Sequence, residues 1–441
     1  MSISINYGSN LKRNNNYLLI TPSIANLGGA QLYILRRAKY LSENGYAVKI
    51  IVSTHNPQNF ILENQFERIP VLFLKDLQKP FSLYSIKKLD RIIQNVKSFL
   101  SDVESGIIET SSLETAVWGE LFAKTINWKH IIYLLADPKI SQYIFYPGYH
   151  FFEYKLNKRE LYGTAEQTLP LIFGKPVEKD KNLFVNVPFD TGELAELSVP
   201  PGAIRNIGKN SFVIGTICRL EKTYLKPFID SCIYFAEKHK KKSITLIVAG
   251  GSEKPKLFNQ LKDLYSNRSL NISNLIILFP GYIKVLGKDF FNALDVFVGM
   301  GTASINAISQ SCATLNIDPI TNQCSGIFGI DINNFGYPQN GIIFKIEDKL
   351  EELMLDPEIM EASKLKGLEL FLKEYSVESS FKKLEFLINF SADKFEYYPF
   401  RFSFFIRLCD NYKFLLGLVK SKIYRMLIFF KSFQFCKSSK E

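Results

Sequence analysis

The sequence predicts an α/β protein of two doubly wound parallel-sheet domains, followed by a basic, aromatic C-terminal segment. Three observations carry this. Short apolar runs alternate with segments of helical period. The alternation stops once, at a polar Pro/Gly-bearing stretch, and then restarts. A chain of 441 residues, 46% of them hydrophobic, is also more than one core holds. Charged residues at 22% leave enough apolar material for packed domains and exclude global disorder.

In the first half, Tyr17–Thr21 reads as a strand, and a loop ending at Gly28-Gly29 leads into a helix. Ile34, Leu35, Ala38 and Leu41 give that helix one apolar face, and Gly45 stops it. Ala47–Ser53 is the next strand, and the order repeats at Gly106–Glu109, Leu113–Lys124 and His130–Leu135. Strands alternating with helices imply a parallel sheet covered on both faces. Pro188–Asn210, with Pro200-Pro201-Gly202, is the expected linker. Beyond it come strands at Ser211–Ile217, Ile244–Ala249, Leu275–Phe279, Asp295–Val298 and Ala313–Ile317. Ile229, Cys232, Ile233 and Ala236 line one face of an intervening helix. The expected domains are 1–205 and 206–375, then a helix over 376–392 that crosses back to the first domain, and a tail over 393–441.

Ligands of open parallel sheets sit beyond the carboxyl ends of the strands, so two such domains are expected to face a cleft. Gly28-Gly29 lies between strand and helix, where bare backbone turns tightly and helix N–H groups favour anions. The alternative is a tight turn without a ligand. Gly250-Gly251-Ser252 and Gly299-Met300-Gly301-Thr302 repeat the device at two strand ends of the second domain, with Thr302 suited to N-cap its helix. Arg219, just past the strand Ser211–Ile217, is followed by Lys222 and Lys226. Such cations can neutralise a diphosphate, Arg by a bidentate fork; the bland alternative is a solvated basic face. His55, His130 and His150 read as structural.

These runs resemble retaining GT-B glycosyltransferases of the family 4-like, surface-polysaccharide type. "YLLITPSIANLGGAQLYILRRAKYLSENGYAVKIIVS" is similar to their opening unit, "FVIGTICRLEKTYLKPFIDSCIYFAEK" with "TLIVAGGSEK" to their donor domain, and "DVFVGMGTASINAISQSCATLNID" to their glycine-rich strand–helix unit. "EYSVESSFKKLEFLINF" is similar to the helix that crosses back. The resemblance spans about residues 17–390 and implies two Rossmann-like domains and transfer of a sugar from a nucleotide donor to a glycan or lipid-linked acceptor. By it, Arg219 and Lys226 hold the diphosphate, with Lys222 the rival for the lysine role. Gly250 and Gly251 face the nucleotide, and Gly301, Thr302 and Ser304 lie near ribose and phosphate. Gly28 and Gly29 border donor phosphate and acceptor. Independently of the resemblance, Asp137 follows the strand His130–Leu135, where a cleft-facing acid can help bind acceptor; the alternative is a loop cap. One departure stands out: of two glutamates usual in the group, the second falls on Asn306 and the first on Val298 or is deleted. Without the carboxylate the hydrogen bonds to ribose are neutral, worth about 1 kcal/mol rather than ~1.5–3. No Asp-x-Asp pair occurs, so neither metal nor cofactor is expected. The rival readings are a sugar-nucleotide epimerase on the same fold and a non-catalytic glycan-binding or scaffold protein.

The formal charge of +11 is uneven: from Tyr397 to the end, nine Lys/Arg stand against Asp410 and Glu441, a net of +7. The same segment carries 13 aromatic residues. As a helix it would place Lys413, Lys420 and Lys431 on one side of a wide apolar face, which suits the headgroup region of an anionic membrane. Packing on the first domain is the alternative, and nucleic acid is not expected as a partner because no recognised module is visible. The opening residues lack the apolar core of a secretory signal, and no stretch of about 18 uncharged apolar residues occurs. Six cysteines without a CxxC pair exclude the common zinc spacings and fit a reduced compartment. The expected location is the cytoplasmic face of the cell membrane.

Overall fold

The computed structural model describes residues 16–24, 29–54, 68–101, 105–135, 140, 145–196, 198, 210–252, 254, 256–283, 286–390, 396–401, 406 and 410–413. The chain forms two compact units: unit 1 is Met1–Val185 with Lys383–Glu441, and unit 2 is Asn186–Lys382.

Unit 1 contains strands β1 (Asn16–Thr21), β2 (Ala47–Val52), β3 (Val71–Phe73), β4 (Ile107–Thr110), β5 (Lys129–Tyr133) and β6 (Leu161–Tyr162). Its helices are α1 (Gly29–Glu43), α2 (Ile86–Leu100), α3 (Leu113–Ile126), α4 (Tyr149–Asn157) and α5 (Thr168–Phe173). The sheet order is β3-β2-β1-β4-β5-β6, with every pair parallel. The apolar runs become strands because both faces of the sheet are covered, which hides all of β5 and five of the six residues of β1. Beyond the apolar face expected for α1, Arg37 is buried as well. It pairs with Glu109 of β4 at 3.1 Å, while the Tyr17 and Tyr33 hydroxyls donate to the same carboxylate at 2.5 and 2.6 Å.

A second buried ionic group ties α3, β5 and α4 together. Lys155 donates to Glu120 at 2.9 Å, to Glu160 at 2.5 Å and to the His130 carbonyl at 2.8 Å. His130 Nδ1 meets Glu120 at 2.7 Å, and its Nε2 meets the Thr110 hydroxyl at 3.0 Å. Burial pushes Glu120 up, but Lys155, His130 and the Tyr398 N–H outweigh it and hold its pKa at about 2. Burial, joined by Lys155, lowers His130 to about 4, so the ring stays neutral. The structural reading of His130 thus has its physical reason.

The tail expectation is corrected in part. Residues 396–401 and 410–413 pack on unit 1: Tyr398 N–H donates to Glu120 at 2.7 Å, the Tyr397 hydroxyl donates to the Trp128 carbonyl at 3.2 Å, and Phe400 packs on Phe81, ring centroids 5.1 Å apart. The rings of Tyr397, Tyr398 and Phe400 pack in the first core and so behave as interior side chains, whereas Tyr412 is exposed. Lys420 and Lys431 lie outside the described residues.

Unit 2 contains β7 (Phe212–Ile217), β8 (Ile244–Ala249), β9 (Leu275–Gly281), β10 (Val296–Gly299), β11 (Ala313–Ile317) and β12 (Cys324–Ile327). Its helices are α6 (Leu225–Lys238), α7 (Leu257–Ser269), α8 (Lys288–Asn292), α9 (Thr302–Ser309), α10 (Ile346–Leu355) and α11 (Pro357–Leu370), and α12 (Val377–Phe390) begins in it. The order is β12-β11-β10-β7-β8-β9, all parallel except β12, which runs antiparallel to β11. A π-helical turn, Phe371–Tyr375, separates α11 from α12. From Lys383 onward α12 belongs to unit 1, where Lys383 lies 4.5 Å over the Phe184 ring and the Lys129 ammonium donates to the Ile388 carbonyl.

The unit boundary is Val185/Asn186 and not the expected 205. Residues after 185 already hydrogen-bond within unit 2: Phe189 N–H to Tyr375 O at 2.8 Å, and Ala195 N–H to Leu286 O at 3.2 Å. Proline and glycine marked a loop there, but backbone pairing decides which core a loop joins.

Candidate functional site

In each sheet the strand order reverses once, between β1 and β4 in unit 1 and between β7 and β10 in unit 2. The carboxyl ends of those strands bound the crevice where open sheets take ligands. In unit 2 this point is well built. The loop after β7 carries Arg219 and Lys222, and the turn after β10 is Met300-Gly301. The Lys222 ammonium reaches Met300 Sδ at 3.8 Å, which joins the two.

Neighbouring loops brace this pair. Cys218 N–H donates to Ala249 O at 3.1 Å, Leu220 N–H to Gly251 O at 3.0 Å, and Gly250 N–H to Gly281 O at 2.9 Å. Thr223 donates to the Asn322 side chain at 2.6 Å. Gly250 has a φ of +151°, and a Cβ there would lie 1.8 Å from the Cys218 carbonyl oxygen, so only glycine lets the β7 and β8 loops approach so closely. At Gly251 a Cβ would lie 3.2 Å from the ring of Tyr282, which is 60% exposed at the end of β9. Sequence reasoning passed over this aromatic; the signal was its place right after Gly281 at a strand end.

The N-cap expectation for Thr302 is corrected. Gly301 is the N-cap, with φ 61° and no side-chain cap, and Thr302 is the first helical residue. The positive φ turns the chain straight from β10 into α9, and a Cβ at Gly301 would meet nothing within 4 Å. The first N–H groups of α9 have no side-chain cap, which suits an anion. Arg219 and Lys226 are both exposed, and among the described residues neither side chain makes an ion pair. Lys226 stands in the first turn of α6, where the helix dipole disfavours a cation by a few tenths of a kcal/mol unless an anion is near.

Ser304 is fully buried, and among the described residues its hydroxyl finds no hydrogen-bond partner. The side-chain oxygens of Asn306 and of Asn316 in β11 are likewise buried and, among the described residues, unpartnered. Ser304 and Asn306 are two residues apart on α9 and so point to different sides of it. Gly301 and Thr302 border the uncapped helix end, whereas Ser304 lies inside.

In unit 1, Gly29 is the first residue of α1, at the switch point. Gly28, Asp137 and His55 lie outside the described residues. Ser112, after β4, caps α3 by a reciprocal box with Thr115. Among the described residues no three His, Cys, Asp or Glu side chains gather as a metal site would require, and no helix is long and apolar enough to cross a membrane.

No protein-family model matches the sequence, and no curated protein matches it. Solved structures do match. A glycosyltransferase from Rickettsia africae is 16% identical, with 86% of this chain and all of that one covered and a TM-score of 0.63. HepE from Anabaena in complex with UDP is 14% identical over 85% of this chain and 99% of its own, with a TM-score of 0.59. The catalytic domain of starch synthase IV from Arabidopsis thaliana, bound to ADP and acarbose, is 14% identical over 86% and 99%, with a TM-score of 0.53. With its two six-stranded, predominantly parallel α/β units, this chain has the GT-B fold of those glycosyltransferases.

Proposed function

We propose that the protein is a glycosyltransferase that takes a sugar from a nucleoside-diphosphate donor. The observation that carries the reading is the contact of Lys222 with the Met300–Gly301 turn at the switch point of unit 2, beside Arg219 and Lys226. Lys222 at the uncapped end of α9, with Arg219 and Lys226 on the adjoining loop and helix, would offer a positive surface. As the glycosidic bond breaks, charge grows on the leaving diphosphate, and this surface stabilises it. The similar structures hold UDP and ADP, which supports a nucleotide as partner. Tyr282 adds an exposed ring beside Gly251 that a planar base can lie against.

The finer reading follows from the family resemblance. The enzyme is a retaining hexosyltransferase that needs no metal and extends a lipid-linked, capsule-type surface glycan. It works peripherally at the cytoplasmic face of the membrane, with Gly28, Gly29 and Asp137 on the acceptor side. Asn306 replaces a carboxylate toward ribose with a neutral amide.

Two measurements test this. In titration calorimetry with UDP or ADP, Arg219→Ala should weaken binding by about ten- to a hundredfold, the worth of one charge-assisted contact, without lowering the melting temperature. Equal affinity in the variant refutes the site. Sugar transfer should also persist in excess EDTA, because Arg, Lys and helix N–H groups take the role a metal would have. Activity that vanishes with chelator and returns with Mg²⁺ or Mn²⁺ refutes the metal-free account.

A further inference from the structure

We propose that Asn322, in the loop between β11 and β12, is a positioning residue for Lys222, a role that rests on the glycosyltransferase reading above. Through the Thr223 hydroxyl, Asn322 fixes the part of the β7 loop that presents this lysine to the donor diphosphate. Leu220 and Tyr224 are buried in the core of unit 2 and pin both ends of a three-residue span. Between them Glu221 and Thr223 are exposed and Lys222 is half-buried. Two turn bonds shape the backbone of the span, Lys222 N–H to Arg219 O at 3.0 Å and Leu225 N–H to Lys222 O at 3.2 Å. Side chains then tie it to three other strand ends. Glu221 accepts from the Ser252 hydroxyl after β8, Lys222 reaches Met300 after β10, and Thr223 donates to Asn322 Oδ1 at 2.6 Å after β11.

The tie to Asn322 rests on a stiff support. The buried carboxylate of Asp318 accepts from the N–H groups of Ile320 and Thr321 at 3.2 and 3.0 Å and from the Thr321 hydroxyl at 2.6 Å. Asp318 N–H donates to Gln323 O at 2.8 Å, and Asn322 N–H donates to Asp318 O at 2.9 Å, which closes the loop on itself. Asn322 stands in it at a φ of +60°, a left-handed conformation that asparagine tolerates better than most residues. A residue kept in a sparsely populated region by its surroundings points to a side chain whose direction matters. The Lys222 ammonium, by contrast, is weakly held. The Met300 thioether is a poor acceptor, and among the described residues no carboxylate pairs with Lys222. Lysine is a compact charge on a flexible stem, so its reach depends on where its backbone is held, and Thr223 is the next residue. Lys226 stands in the first turn of α6, fixed by the helix and independent of Asn322. Of the two lysines, the tie therefore favours Lys222 for the phosphate.

The test is a double-mutant cycle on UDP affinity, read by titration calorimetry with the full chain. Thr223→Val removes the donor at nearly constant shape, Asn322→Gly removes the acceptor and keeps the backbone conformation, and Thr223→Ser keeps the hydroxyl. Either loss should weaken UDP binding about two- to tenfold, the worth of one net hydrogen bond, and Thr223→Ser should bind as wild type does. Melting temperatures should stay within about 2 °C, because the bond lies at the surface. In a Lys222→Ala chain, itself weakened, adding Thr223→Val should change UDP affinity no further, which a merely structural role of the pair would not produce. The same loss in both backgrounds overturns the positioning role. So does unchanged affinity in Thr223→Val and Asn322→Gly while Lys222→Ala weakens binding, and the donor site then stands. Unchanged affinity in Lys222→Ala removes Lys222 from the site and the positioning role with it. No UDP binding by wild type overturns the donor site as well.

Discussion

Replacing Lys155 with Met should cost unit 1 about 3–5 kcal/mol at neutral pH, the usual result of removing one partner from a buried ion pair. The ammonium is fully buried between Glu120 and Glu160. Burial alone would lower its pKa, but the two carboxylates outweigh that and raise it, so it is charged throughout the folded range. Without it, two carboxylates face each other out of water, and Glu120 also loses the main partner that holds it at about 2. Urea unfolding followed by intrinsic fluorescence measures the loss, since Trp118 and Trp128 are both buried in unit 1. The double variant Glu120→Gln/Lys155→Met should recover part of it, because removing charge from both sides is cheaper than orphaning one. A loss below about 1 kcal/mol in the single variant would contradict the buried placement of this group.

The same group sets a pH dependence. His130 titrates at about 4 in the folded chain against an ordinary 6.5, so between these values the unfolded chain binds the extra proton. Its contribution is complete above 6.5 and is lost as the pH falls toward 4, about 3 kcal/mol in all. Glu120, held at about 2 against an ordinary 4.5, adds a loss at lower pH still. Wild-type stability should therefore fall from pH 6.5 downward, and His130→Gln should flatten the slope between 6.5 and 4. An equal slope in both chains would assign the acid sensitivity elsewhere.

Gly250→Ala should have an effect of comparable size in unit 2. The added methyl would stand 1.8 Å from a backbone oxygen, at a φ of +151° that side chains rarely adopt. Neither contact partner can swing away, so the β7 and β8 loops must separate, at a cost of about 3 kcal/mol or more. Separation moves Cys218 and with it Arg219, so UDP affinity should drop together with the melting temperature. Gly251→Ala is the matched control, since its methyl meets the Tyr282 ring at 3.2 Å and that ring can shift. A Gly250→Ala chain as stable as Gly251→Ala would show that the loops are not pressed together. Where the two variants differ, calorimetry with UDP then tells whether the loss at Gly250 reaches Arg219.

The sequence by itself determined the two α/β units, the extents of β1, β2, β7, β8 and β11 to within a residue, and the glycine turns at strand ends. These are short-range properties. Apolar period, strand length and the absence of a Cβ act over a few residues, and buried parallel strands announce themselves as apolar runs. The cations Arg219, Lys222 and Lys226 were legible for the same reason, because they follow a readable strand directly. That Lys222 is the one meeting Met300, 78 residues away, was not legible. Nor were the partners of Arg37 and Lys155, the antiparallel direction of β12, or the passage of Phe189 and Ala195 into unit 2. The aromatic residues Tyr397, Tyr398 and Phe400 looked like a membrane face because composition cannot tell a lipid surface from a protein core; both take rings edged with cations. Only the tertiary fold decided between them, by setting Glu120, Ser82 and Tyr146 where Tyr398 and Asp410 could satisfy their buried polar groups. Hydrogen bonds across 264 to 328 residues depend on topology, and local sequence carries no record of a partner that far away.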